Sequence, residues 1–204
     1  ERCLAALAEL GAAFPGRLQV ISADALETPV EPLGPAPRRI VANLPYNVST
    51  QLLIGWLELI AREPAALSCL VLMFQKEVAQ RLTAKPRSKD YGRLTILTQW
   101  LCEVEPLFDI SPKAFVPPPK VTSTVVELRP RPAPAFPAEI ASLQKVTAAA
   151  FGQRRKMLRQ SLKSLGGDTL ALLEASAIKE TARAEELTLE DFCRLSEVWR
   201  QRRS

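Results

Sequence analysis

Apolar residues in the first 130 positions form two kinds of block, one recurring every three or four residues and one running continuously, and their alternation predicts an α/β fold. Leu4, Leu7 and Ala8 share one face of a helix predicted over residues 2–10, with Gly11 as its stop. Residues 18–21, Leu-Gln-Val-Ile, read as a strand delivering Ser22, Ala23, Asp24 and Ala25 at its C-terminal end, where open α/β sheets collect their ligands. Pro29, Pro32, Pro35 and Pro37 make residues 27–37 a loop too broken for regular structure. Arg38-Arg39 then leads into a strand at 40–42, either as a solvated strand start or as a phosphate contact. Ser49 or Thr50 caps a helix whose Leu52, Leu53, Trp56, Leu57 and Ile60 form a packing face. Residues 69–74 are continuously apolar, the pattern of a strand buried on both faces of a parallel sheet. A helix over 75–82 carries Lys76, Gln80 and Arg81 on polar positions, and two last strands are predicted at 104–110 and 122–128.

Beyond this the pattern changes. Alternating prolines from Pro130 to Pro137 cannot continue a sheet, so residues 1–129 are expected to form the α/β domain, 130–137 a semi-rigid linker and 138–204 a small all-helical domain. On a single helix spanning 145–165, Phe151, Leu158, Leu162 and Leu165 fall on one face. Arg155, Lys156, Arg159 and Lys163 fall on a neighbouring one. Gly166-Gly167 ends that helix, and short packing helices follow near 170–177 and 189–200, the latter capped by Thr188. Leu187, Leu189, Phe192, Leu195 and Trp199 supply a compact core.

Charge sharpens the division. Residues 1–129 hold 14 Lys and Arg against 13 Asp and Glu, whereas 130–204 hold 13 against 9, so most of the net +5 lies in the smaller part. Almost no acid interrupts the 145–163 basic stripe, which favours a polyanion over a merely solvated face. Lys85, Arg87 and Lys89 form a second basic stretch, a solvated loop or a set of phosphate contacts. With 47% hydrophobic and 24% charged residues the balance is that of a packed soluble domain, read here as cytoplasmic, and no run reaches the roughly 20 apolar residues of a membrane span. Cys3, Cys69, Cys102 and Cys193 lack metal-binding spacing and read as buried free thiols. The absence of His excludes Ser-His and Cys-His catalysis and the common zinc sites, leaving amides, carboxylates, aromatics and backbone to run any chemistry.

Asn43-Leu44-Pro45-Tyr46, at the end of the 40–42 strand, is the strongest chemical signal. Taken alone it is also consistent with a strand ending in a tight turn over a buried Tyr. An exocyclic amine on a base is a poor nucleophile because its lone pair is delocalised into the ring. A site that alkylates it must hold the amino hydrogens with acceptors and let the nitrogen become tetrahedral. The Asn43 side-chain oxygen and the Leu44 carbonyl are suitable acceptors, Tyr46 a stacking face, and Pro45 the residue that fixes the turn.

Five blocks in order, Asn43 to Thr50, Phe74 to Leu82, Tyr91-Gly92-Arg93-Leu94, Phe115-Val116-Pro117-Pro118-Pro119-Lys120-Val121 and Phe151-Gly152-Gln153-Arg154-Arg155-Lys156-Met157-Leu158, resemble the ribosomal RNA adenine N6,N6-dimethyltransferases of the small-subunit type. The resemblance implies a Rossmann-like class I methyltransferase domain followed by a small all-α domain. It also implies S-adenosyl-L-methionine as methyl donor and no metal. Asn43, Leu44, Pro45, Tyr46 and Phe115 are then the catalytic set, Tyr46 and Phe115 clamping the target adenine from opposite sides, a usual way to hold a base taken out of its stack. Asp24, Ala25 and Asn43 border the donor, Asp24 receiving its adenine amino group; without the family, Asp24 reads equally as a turn cap. Arg154, Arg155, Lys156, Arg159 and Lys163 grip rRNA. The expected substrate is a pair of adjacent adenosines in a hairpin near the 3′ end of small-subunit rRNA, within the 30S subunit or its precursor, and the expected enzyme is a monomer.

Family members begin with a strand and a glycine-rich turn cradling the donor, then a strand ending in an acid for the ribose. Neither occurs in these residues, so the cofactor domain is expected to be N-terminally incomplete, with Glu1-Arg2-Cys3-Leu4 in the helix after that second strand. In a seven-stranded sheet of this type the two upstream strands lie between the strand at 18–21 and the strand at 40–42. Two alternatives remain: a large-subunit rRNA methyltransferase of the antibiotic-resistance type, and a non-catalytic ribosome-assembly or transcription factor on the same fold.

Overall fold

The computed structural model describes residues 4–203; Glu1, Arg2 and Cys3, to which a helix start and a thiol were assigned above, lie outside them. Four strands form one sheet: β1 (Arg38–Asn43), β2 (Leu67–Gln75), β3 (Cys102–Ile110) and β4 (Ser123–Pro130), in the spatial order β1-β2-β4-β3. β1 and β2 are parallel, and β4 runs antiparallel to both β2 and β3. Leu70, Leu72 and Phe74 of β2 and Val126 and Leu128 of β4 are fully buried, as the apolar runs require. Edge strand β3 is mostly exposed and is bent by a bulge between Pro106 and Phe108, which blunts it against further pairing.

Helices α1 (Leu4–Ala13), α2 (Ser49–Arg62), α3 (Lys76–Leu82) and α4 (Arg93–Leu101) accompany the sheet. Helices α5 (Ile140–Gly152), α6 (Leu158–Ser161), α7 (Thr169–Ala175) and α8 (Leu189–Gln201) form the C-terminal part. α5 contacts both α4 and α8, and one apolar cluster runs from Leu44 and Leu53 through Trp100 to Phe192 and Leu195. The 130–137 segment is tied down along α4: Arg131 and Ala135 N–H groups donate to the Leu101 and Trp100 carbonyls, and the Trp100 indole donates to the Phe136 carbonyl.

Several expectations are corrected. α1 continues through Gly11 to Ala13, because one glycine costs a helix only about 1 kcal/mol whereas Pro15 disfavours helical backbone just before it. No strand forms at 18–21; Leu18, Val20 and Ile21 are 38%, 44% and 47% exposed. A strand needs a neighbour for its backbone hydrogen bonds, and none of the four strands pairs with this segment. The outer edge of β1 has no partner strand among the described residues, and Val41 is 79% exposed. The 27–37 loop does hold one 3-10 turn, Glu31–Leu33. Neither Ser49 nor Thr50 caps α2: the N-cap is Val48, with no side-chain cap, and Ser49 is already helical.

The single helix over 145–165 is also replaced. α5 ends at Gly152, residues 153–157 turn, and α6 leads into a 3-10 turn, Leu162–Leu165. The break is held open by an antiparallel bridge between Met157 and Arg183 and by the Leu158 N–H donating to the Ala182 carbonyl. Leu158 and Leu162 are nevertheless fully buried, so the apolar positions pack through a kinked path. Gly166 and Gly167 follow with φ of 75° and 73°, conformations that glycine adopts without penalty. Thr188 does cap α8, its hydroxyl accepting from the Asp191 N–H at 3.1 Å while the Asp191 carboxylate accepts from the Thr188 N–H. Cys102 and Cys193 are buried, and burial pushes both thiols up to about 12, while Cys69 is half-buried and donates to Glu127.

At the start of α5, Glu139 accepts from the Ala141 and Ser142 N–H groups and from the Ser142 hydroxyl at 2.6–3.0 Å. The Ser142 bonds hold its carboxyl below the usual range. A depressed folded-state value means that this cap stabilises the fold above the ordinary carboxylate pKa and is lost as pH falls through the lower, folded one. Glu139→Ala is therefore expected to cost about 1 kcal/mol at pH 7 and little at pH 2, measured by urea unfolding at both values.

Candidate active site at the strand ends

The topology places the candidate residues. β1 and β2 point the same way, so Asn43 and Gln75 finish at the same end of the sheet. Ser123, the first residue of β4, pairs with Gln75 on one side and with Ile110, the last residue of β3, on the other. The loop from Ser111 to Thr122, which carries Phe115, must therefore rise at the end where the Asn43-Leu44-Pro45-Tyr46 turn rises.

Within that turn Leu44 is buried and anchors the chain, while Asn43 and Pro45 are exposed and Tyr46 is half-buried. The Val48 and Ser49 N–H groups both donate to the Pro45 carbonyl, at 3.1 and 3.0 Å. The turn is thus closed through Pro45, not through the Leu44 carbonyl. The Ser49 hydroxyl, not needed as a cap, donates to the Tyr46 carbonyl at 3.1 Å, and the Tyr46 hydroxyl lies 2.6 Å from the Ser123 hydroxyl. A ring held at its backbone and at its hydroxyl has one orientation to offer a flat ligand. Beside it, Lys76 pairs with Asp109 at 2.5 Å and Asp109 accepts from the Thr124 hydroxyl at 2.7 Å. The Lys76 bond holds the Asp109 carboxyl below its ordinary value. Phe115 is half-buried after a 3-10 turn, Pro112–Ala114, and its neighbour Val116 is fully exposed.

Asp24 and Ala25 lie in an exposed turn. One Asp24 carboxylate oxygen accepts from the Leu26 N–H at 2.8 Å, and the Asp24 carbonyl accepts from the Thr28 hydroxyl at 2.7 Å. The second carboxylate oxygen has no partner among the described residues. From Ala25 to Glu31 this segment borders a cavity of about 450 Å³ against α2.

The basic residues separate into two groups. Arg154 is committed inside the fold: its guanidinium pairs with Glu185 at 3.0 Å and donates to the Tyr91 and Ser88 carbonyls at 2.8 and 3.0 Å. Phe151 packs edge-on against Tyr91, centroids 6.1 Å apart, and stacks on Phe192 at 5.3 Å, so the Phe151 to Arg154 segment joins the helical part to the 88–91 loop. Arg155, Lys156 and Lys163 are exposed, and Arg159 pairs with Glu180 at 3.4 Å.

Ser49 and Lys76 were read from the sequence only as a helix cap and a polar helix position, and Ser123, Asp109 and Thr124 were not singled out there. Their signal was the polar cluster Thr122-Ser123-Thr124 at the head of an apolar strand. Ser123→Ala is expected to release the Tyr46 hydroxyl and lower kcat/KM for RNA roughly fivefold, the worth of about 1 kcal/mol. The thermal midpoint should move little and Ser123→Thr should restore the rate, a pattern that a purely structural role would not give.

An α/β sheet with this turn and an aromatic, proline-stiffened loop at one strand end defines a Rossmann-like methyltransferase. The model of the ribosomal RNA adenine dimethylase family matches residues 5–201, and the chain belongs to that family. It is 59% identical over 196 residues to the ribosomal RNA small subunit methyltransferase A of Rhodospirillum rubrum, covering 96% of this chain and 66% of that protein. It is 58% identical over 205 residues to the protein of the same name from Xanthobacter autotrophicus, covering 100% of this chain and 70% of that one. The chain thus spans about two thirds of the length of these relatives. Among solved structures, a dimethyladenosine transferase from Plasmodium falciparum superposes with a TM-score of 0.76 at 25% identity, over 95% of this chain and 77% of that one. The 23S rRNA methyltransferase ErmE superposes with a TM-score of 0.62 at 25% identity, over 98% and 79%.

Proposed function

We propose that the whole protein transfers methyl groups from S-adenosyl-L-methionine to N6 of two adjacent adenosines in a hairpin near the 3′ end of small-subunit rRNA, during assembly of the 30S particle in the cytoplasm. The observation that carries the reading is the Asn43–Tyr46 turn, closed through Pro45 and pinned to Ser123, on the same sheet end as the Phe115 loop. In it the Asn43 side-chain oxygen and the Leu44 carbonyl accept the two amino hydrogens of adenine. This draws the lone pair out of conjugation as the nitrogen becomes tetrahedral. Tyr46 and Phe115 hold the base plane and exclude water, and positioning of this kind supplies most of the acceleration. Arg155, Lys156, Arg159 and Lys163 hold phosphate, with residues 138–204 as the RNA-gripping part.

The residues present fit the methyl donor at one end only. Asp24 has a free carboxylate oxygen for an adenine amino group, with Ala25 and Asn43 alongside, whereas a glycine-rich cradle is not among these residues. When bound, the donor supplies an electrophilic methyl group on a sulfonium.

Relatives named for the small subunit, 55–59% identical across nearly the whole chain, favour that substrate over the large-subunit one of the more distant ErmE. The test supplies the complete protein and labelled donor to small and large ribosomal subunits lacking adenine dimethylation. Label in the small subunit alone is the expected result, and label in the large subunit alone would replace this reading with its rival.

A further inference from the structure

A cavity of about 400 Å³ opens between α3, the 85–92 loop and the start of α4, and no residue of the strand-end turn lines it. Its walls carry four cations, Arg81, Lys89, Arg93 and Arg154, against one acid, Asp90. Arg154 is spent on Glu185 and two carbonyls, and Arg81 reaches Glu77 only at 3.7 Å. Lys89 and Arg93 are exposed and have no ion-pair partner among the described residues.

The start of α4 breaks a local rule at the same place. Its N-cap is Gly92, which has no side chain to accept from the first free N–H groups, and its first turn contains no acid. The first helical residue is Arg93, a cation at the positive end of a helix, where negative charge is the stabilising sign. The Thr95 hydroxyl, the remaining candidate acceptor, takes the Gly92 N–H and itself donates to the Arg81 carbonyl. Lys89 and Arg93 beside a helix start with no side-chain cap leave positive charge that, among the described residues, only Asp90 of the cavity wall offsets.

We infer that this cavity holds a backbone phosphate of the RNA substrate, a second grip built into the catalytic part of the chain. The inference rests on the proposed rRNA substrate. Arg154 forms part of the cavity wall, and the next two residues of the chain are the exposed Arg155 and Lys156. Arg154 positions that wall, while Lys89, Arg93 and the α4 N–H groups are the contacts offered to the anion.

The test measures binding of a fluorescent RNA hairpin to the complete protein over a range of KCl concentrations. Wild type is compared with Lys89→Gln/Arg93→Gln and with Arg155→Gln/Lys156→Gln. One lost phosphate contact should flatten the plot of log K against log salt by about 0.7–0.9 in the first double variant. Arg93→Lys should keep the wild-type slope, and an unchanged melting midpoint should accompany both. Potassium sulfate at matched ionic strength should weaken wild type more than Lys89→Gln/Arg93→Gln. If the slope of that variant equals wild type while Arg155→Gln/Lys156→Gln flattens it, the cavity is not a phosphate site and the proposed function stands. If wild type shows no salt-dependent RNA binding, both readings fall.

Discussion

Asn43→Ala in the complete protein is expected to lower turnover about 100- to 1,000-fold while leaving RNA affinity within a fewfold of wild type. The side chain ends β1 exposed at the sheet end, where it buries no apolar surface and bears little on stability. Its acceptor matters most when the amine is becoming tetrahedral, and an interaction made mainly in the transition state appears in kcat. The magnitude follows that of removing one positioned donor from an oxyanion hole, the mirror case of hydrogen bonds aimed at a developing charge distribution. Phe115→Ala should act differently, weakening capture of the flipped adenine and leaving more singly methylated product. Single-turnover rates beside equilibrium binding separate the two. Equal losses in rate and affinity for Asn43→Ala would remove it from the chemistry.

The second large effect concerns stability. Arg154→Ala removes an ion pair to Glu185 and two charge-assisted bonds to the Ser88 and Tyr91 carbonyls, all at the junction of the helical part with the 88–91 loop. Hydrogen bonds to a charged group are worth about 1.5–3 kcal/mol each, and this guanidinium is about one third exposed, so a total loss of about 2–3 kcal/mol is expected. Urea unfolding measures it. The salt dependence of RNA binding should change less in Arg154→Ala than in Arg155→Ala or Lys156→Ala, whose side chains face solvent. A stable Arg154→Ala protein with a flattened salt slope would return this residue to the RNA surface.

The contrast between Arg154 and its two neighbours shows where the sequence was legible. Strands 40–42, 69–74, 104–110 and 122–128 were found within a few residues, the first two because continuous apolar runs between turn residues have few other destinations in an α/β chain. The strand at 18–21 was lost although its pattern is equally apolar. Pattern records which faces want burial, and a strand also needs a neighbour to pair with, which residues 18–21 lack among the described residues. The 145–165 helix was misread for another reason. Its apolar positions fit one helical face, but Gly152 and the Met157–Arg183 bridge reroute the chain between them, a long-range contact invisible to periodicity. At the candidate site, the Asn43–Tyr46 turn was readable as chemistry, whereas the Ser123 partner of Tyr46 lies 77 residues away and became visible only through strand register.

Liquid chromatography with mass spectrometry of adenosine, N6-methyladenosine and N6,N6-dimethyladenosine from small-subunit particles treated with the complete protein and S-adenosyl-L-methionine tests the central claim most directly. Two dimethyladenosines per particle, at adjacent positions near the 3′ end of the rRNA and strongly reduced with Asn43→Ala, is the predicted result. Tight binding of those particles with no methyl group transferred in any assembly state would contradict it and leave a non-catalytic assembly factor on this fold.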